Sequence, residues 1–103
     1  KAQMTGGILL TLMVPQLLED NMVDWLMLNA EDRLFSSGVV SAHAAGHERL
    51  SLMEQVTGRR QQIRFEVLLE AGEVDCVLKQ LKEDFNHTGI RFWMAPVHQS
   101  GEL

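Results

Sequence analysis

The chain has 103 residues, 46% of them apolar, and a formal net charge of −5 at pH 7. That length holds one small domain, spanning 1–103, and that apolar share excludes a disordered chain. The acidic balance argues against nucleic acid or direct insertion into a membrane as the working mode, because nucleic acid and anionic lipid both select clustered positive charge.

Lys1 to Gly7 reads as a flexible lead-in and shows none of the charge-then-apolar pattern of a secretory signal. Ile8 to Val14 is short and nearly all apolar, as in a buried central strand. A membrane span needs about 20 such residues. Pro15 ends this run and suits the first turn of a helix. From Pro15 to Leu28, the residues Leu18, Met22, Trp25, Leu26 and Leu28 recur at helical spacing. Glu19, Asp20 and Asp24 supply the polar face, and the first two complement the helix dipole. Asn29 to Leu34 reads as a turn. Phe35 to Ala42 is rich in Ser and Gly and reads as an edge strand.

A long polar insertion, about 43–61, follows. Gln62 to Glu70 then alternates with period two: Ile63, Phe65, Val67 and Leu69 share one face, and Arg64, Glu66, Leu68 and Glu70 the other. Ala71-Gly72 breaks the strand. Val74, Val77, Leu78, Leu81 and Phe85 mark a second amphipathic helix that closes near Asn86 to Gly89, with His87 placed to meet its last carbonyls. Ile90 to Ala95 reads as a final strand stopped by Pro96, with a short polar tail.

The order strand–helix–strand–strand–helix–strand predicts an α+β fold, the ferredoxin-like βαββαβ sandwich, with an antiparallel-type sheet and two helices on one face. Right-handed crossovers make the first and second strands parallel, with the third between them. The face without helices would carry Leu9 and Met13, or else Leu10 and Leu12, joined by Leu68 and either Trp93 or Phe92. Monomers rarely expose a contiguous apolar patch beyond about a few hundred Å². The pattern therefore predicts an oligomer packed through its uncovered sheet faces, against a monomer with scattered apolar surface.

The insertion holds the candidate chemistry. Most loops have about 4–6 residues, and one much longer is usually functional or disordered. His43 and His47 lie four apart, one face of a helical turn, and Glu48 can add an oxygen. Together they suit a Cu, Zn or Ni ion, the competing reading being solvated histidines. His98 is a further candidate, supplied by another subunit. Six methionines suggest Cu(I) or Ag(I), but Met13, Met22 and Met94 fall at core or interface positions and only Met53 lies in the loop. Leu50, Leu52, Met53 and Val56 would be the apolar side of a short turn capped by Ser51 and Glu54, ready to dock on a partner or on the protein's own assembly. Gly58, Arg59 and Arg60, with Glu54, would hold a small phosphate- or carboxylate-bearing ligand. Alternatively, Glu54 pairs with Arg59 or Arg60. The single cysteine, Cys76, reads as a buried inert thiol and permits no internal disulfide, which fits a reducing, cytoplasmic compartment. No nucleophile–base–acid grouping supports an enzyme.

The stretch Ser51 to Arg60, above all Glu54-Gln55-Val56-Thr57-Gly58-Arg59, resembles an uncharacterised family of the PII-like superfamily. So do Leu10-Thr11-Leu12-Met13-Val14-Pro15, Phe92-Trp93-Met94-Ala95-Pro96-Val97 and Ser100-Gly101. The resemblance implies a ferredoxin-like subunit in a homotrimer of the PII or CutA type. It also implies a long loop that engages partner proteins, and ligand clefts between subunits near its base. Genes of this family often neighbour heavy-metal efflux pumps of the copper and silver type, which implies an efflux-pump component as partner. One departure is clear: where PII proteins carry a glycine- and lysine-rich phosphate-binding stretch, this chain has Glu70-Ala71-Gly72-Glu73, so a nucleotide is less expected than a metal ion. The sequence thus points to a non-enzymatic regulatory or sensor protein. Its rivals are a small ferredoxin-like enzyme of the dimeric αβ-barrel monooxygenase type and a purely structural interaction module.

Overall fold

A computed structural model of the chain describes residues 4–30, 33–43 and 60–103. Strand β1 (Met4–Pro15) leads through a 3-10 turn into helix α1 (Glu19–Asn29). Strands β2 (Phe35–Ala42) and β3 (Arg60–Leu69) follow. A second 3-10 turn opens helix α2 (Val74–Asp84), and β4 (Arg91–Ser100) closes the chain. The sheet order is β2-β3-β1-β4. β1 pairs antiparallel with β3 and β4, and β3 antiparallel with β2, so β1 and β2 run parallel as the crossover rule requires. This is the α+β, ferredoxin-like arrangement.

The two central strands alternate cleanly. Leu10, Leu12 and Val14 of β1 stand opposite Val67, Phe65 and Ile63 of β3, and all six are buried. With Leu69, they meet Met22, Trp25 and Leu26 of α1 and Leu81 of α2 to form the core. Fully burying such a side chain is worth about 1.5–3 kcal/mol, so this layer dominates the fold's stability. Any one-residue slip of β1 against β3 would turn it to water.

Strands β1 and β4 are longer than the sequence predicts, for one shared reason. Met4, Thr5 and Gly7 are not a free lead-in but pair with Ser100, Gln99 and Val97. Each extension gives the other its ladder partner. Pro96 does not stop β4, because an edge strand has one side with no ladder to maintain and tolerates a missing N–H. Gly6 sits at φ 76°, a conformation that favours glycine, inside the added segment.

The helices are tied to each other as well as to the sheet. Trp25 donates its indole N–H to Asp84 at 2.7 Å, and its ring meets Phe85 edge-on with centroids 6.1 Å apart. After α2 the chain reverses through His87 at φ 61° and Gly89 at φ 83°. The Thr88 hydroxyl, not the His87 imidazole, donates to the Phe85 carbonyl, at 2.7 Å. Cys76 is exposed rather than buried. The inward stripe of α2 is Val74, Val77 and Leu81, and Cys76 falls outside it. No helix among the described residues is long and apolar enough to cross a membrane.

Candidate functional site

The insertion leaves and rejoins the sheet at one point. Ala42 at the end of β2 stands opposite Arg60 at the start of β3, preceded by the pairs Ser41–Gln61 and Val40–Gln62. The burial of Ile63, Phe65 and Val67 fixes that register. His43 is exposed directly beyond Ala42. His47, Glu48, Leu50, Leu52, Met53, Glu54, Val56, Gly58 and Arg59 lie outside the described residues, and of Arg60 the backbone pairing alone is described. Among the described residues, no three histidine, cysteine or carboxylate side chains gather as a metal site.

The strand register defines the face of the sheet that is helix-free among the described residues. Leu10 and Leu12 point to the helices, so Leu9, Thr11 and Met13 point away. One row across this face is Leu68–Leu9–Ala95; the next is Glu66–Thr11–Trp93; the third, toward the insertion, is Arg64–Met13–Arg91. Trp93 is 48% exposed although it sits mid-strand beside the buried Thr11. An apolar half of the face therefore gives way to a basic row just below the strand ends that carry the insertion. Arg64 and Arg91 are both exposed. Sequence reasoning missed them as a pair, because they become neighbours of Met13 only through the strand order.

At the opposite end of the sheet, the turn Glu70-Ala71-Gly72-Glu73 is closed on itself. Glu73 accepts the Glu70 N–H at 2.8 Å, one half of a capping box. Arg33 donates Nε to Glu73 at 2.9 Å and brings Nη2 within 3.0 Å of Glu70 and 2.9 Å of Glu73. The bond to Glu70, then that to Glu73, raises the Arg33 pKa above its ordinary value. Two carboxylates and a guanidinium already engaged make a poor cradle for phosphate.

A cleft of about 300 Å³ opens on the helix side between α2 and β4. Leu12, Leu81, Phe85 and Phe92 line it together with the polar Lys82, Asn86, His87 and Thr88.

The family model described as "Protein of unknown function (DUF3240)" matches residues 4–103. No curated protein matches the chain. Among solved structures, a DUF3240 family protein from Shewanella baltica is 26% identical. The match covers 97% of this chain and 99% of that one, with a TM-score of 0.77. A putative PII-like signalling protein from Thermus thermophilus is 18% identical over 97% of this chain and 92% of its own, with a TM-score of 0.60. CPII from Thiomonas intermedia, a nitrogen regulatory PII-like protein bound to ADP, AMP and bicarbonate, is 13% identical over 99% of each chain, with a TM-score of 0.67. The fold is PII-like.

Proposed function

This chain belongs to the DUF3240 family, proteins of unknown function, and from its PII-like fold we propose that it is a non-enzymatic regulatory subunit that works as a homotrimer. Copies associate through their helix-free sheet faces. The insertion between Ala42 and Arg60 then projects from the seams, where Glu54, Gly58, Arg59 and Arg60 hold a small ligand. His43, His47 and Glu48 bind a metal ion, and Leu50, Leu52, Met53 and Val56 dock on a partner protein. The tie to copper or silver efflux, with a membrane pump component as that partner and the cytoplasm as the compartment, comes from the sequence resemblance.

The observation that carries this reading is the face built on Leu9, Leu68, Ala95 and Trp93. No helix among the described residues covers it, and the half-exposed Trp93 stands on its β4 edge. Burying it on a second copy is the cheapest way to remove it from water. The ion-paired turn at Glu70 and Glu73 counts against a nucleotide phosphate held at that turn.

Light scattering on a sizing column tests the assembly. Wild type is expected at the trimer mass, and Leu68→Glu, which places a charge on that face without touching the core, at the monomer mass. A wild-type monomer at all concentrations sinks the proposal. Calorimetry with Cu(II), Zn(II), Ni(II), ATP, ADP and AMP tests the ligand. Heat from a metal ion that vanishes in His43→Ala/His47→Ala is the expected result.

A further inference from the structure

We propose that Arg64 and Arg91, joined by the same residues of neighbouring copies, form a site for a small doubly charged oxyanion of the phosphate or sulfate class, enclosed where the helix-free sheet faces meet. The site rests on the face-to-face assembly proposed above.

Arg64 and Arg91 flank Met13 in one row of the helix-free face, on strands β3 and β4 with β1 between. Two strand spacings set their Cα atoms roughly 10 Å apart, so both guanidinium groups can meet over the Met13 side chain. Neither forms an ion pair among the described residues, where the salt bridges are those of Arg33 with Glu70 and Glu73. The fourth member of the row, on β2, is Gly38, which contributes no charge.

Charge balance then decides what the seam must contain. On this face the described charged side chains are Arg64, Arg91, Glu66 and, just past the end of β3, Glu70, whose charge Arg33 already holds at 3.0 Å. With Glu70 so held, each copy brings two positive charges against one negative charge. Adding identical copies repeats that ratio, so no arrangement of Arg–Glu pairs among these described side chains neutralises the row. A guanidinium cannot shed its proton at any pH a folded protein meets, so it cannot escape by becoming neutral. Packing the faces together draws these groups partly out of water, where an unpaired charge is strongly unfavourable. A bound anion resolves the conflict, and a tetrahedral dianion offers paired oxygens to several planar guanidinium forks at once.

Assembly measured by light scattering across a dilution series, at one ionic strength, tests this with chloride, inorganic phosphate, sulfate or AMP as the anion. With phosphate or sulfate at about 10 mM, the concentration for half-dissociation is expected to fall about tenfold relative to chloride, by linkage of anion binding to assembly. AMP, too bulky for an enclosed seam, is expected to behave as chloride does. Arg64→Gln/Arg91→Gln, both exposed positions, is expected to assemble in chloride at least as tightly as wild type and to lose the phosphate response. A trimer indifferent to phosphate and sulfate, or a double variant that still responds, overturns the anion site and leaves the assembly standing. AMP acting as well as phosphate overturns the enclosed position. A monomer in every buffer overturns both this site and the assembly on which it rests.

Discussion

Trp25 of α1 and Asp84 of α2 are joined by a 2.7 Å hydrogen bond that spans the helix pair and ends on a carboxylate also reached by Gln80 at 3.0 Å. Both bonds favour the charged carboxylate and hold its pKa below the ordinary value, with the Gln80 bond as the larger cause and Trp25 second. A carboxylate whose pKa falls on folding adds stability above its unfolded value and loses it as the pH drops through the folded one. Melting temperature is therefore expected to decline as the pH falls below about 4, where an unfolded aspartate titrates. Asp84→Asn keeps an acceptor for Trp25 but removes the charge, so its melting curve should be flatter over that acid range. Circular dichroism melts from neutral to acid pH for the two proteins check this; parallel curves would refute it.

Phe65 is the second test, of the core rather than the helix pair. It is fully buried on β3, stands opposite Leu12, and lies with its ring 6.4 Å from that of Phe35. Phe65→Ala leaves a cavity in the central layer and is expected to cost about 3–5 kcal/mol. Phe92 flanks Leu12 from the other side but is 44% exposed on the edge strand, so Phe92→Ala is expected to cost about 1–2 kcal/mol, in keeping with partial burial. Urea unfolding of both variants reads the difference, and equal losses would mean that the two faces of Leu12 are packed alike.

The clamp at Arg33 gives the third. Glu73 accepts from the Glu70 backbone and from two nitrogens of Arg33, while Glu70 offers Arg33 one contact and is 60% exposed at its side chain. Loss of Glu73 thus removes a cap and an ion pair together. Glu73→Ala is expected to destabilise by about 1–2 kcal/mol, and Glu73→Gln, which keeps an acceptor for the Glu70 N–H and loses only the charge, by less than about 1 kcal/mol. Urea titrations at low and high salt separate the parts, because only the ionic contribution weakens with salt.

How much of this was legible in the sequence depends on how local each signal is. The alternation of Ile63, Phe65, Val67 and Leu69 named the covered face of β3 outright. Ile8 to Val14 did not do so for β1, because a run apolar on both sides carries no parity; pairing with β3 resolves it in favour of Leu10, Leu12 and Val14. Met4 to Gly7 looked unstructured because what makes them a strand is Val97 to Ser100, at the far end of the chain. Cys76 was misplaced by a helix phase that its neighbour Val77 alone could not set. The insertion stood out by composition, yet the Arg64–Met13–Arg91 row below it was invisible, since three strands distant in sequence must first be laid side by side.

Replacing the insertion tests whether it serves function rather than folding. Ala42 and Arg60 already oppose one another as the last pair of the β2–β3 ladder, so residues 43–59 can be exchanged for Asn-Gly, the preferred two-residue hairpin turn. The core residues Ile63, Phe65 and Val67 begin beyond that pair and are untouched. The shortened protein is expected to melt within about 5 °C of wild type, since loop-closure entropy varies only slowly with length. Because Leu9, Leu68, Ala95 and Trp93 remain, it is expected to keep the trimer mass. It should at the same time lose any metal heat carried by His43, His47 and Glu48, together with binding to a partner through Leu50, Leu52, Met53 and Val56. Scanning calorimetry, light scattering and metal titration on the one variant separate the three roles. Loss of assembly in this variant would place the contacts between copies in the insertion instead of on the sheet.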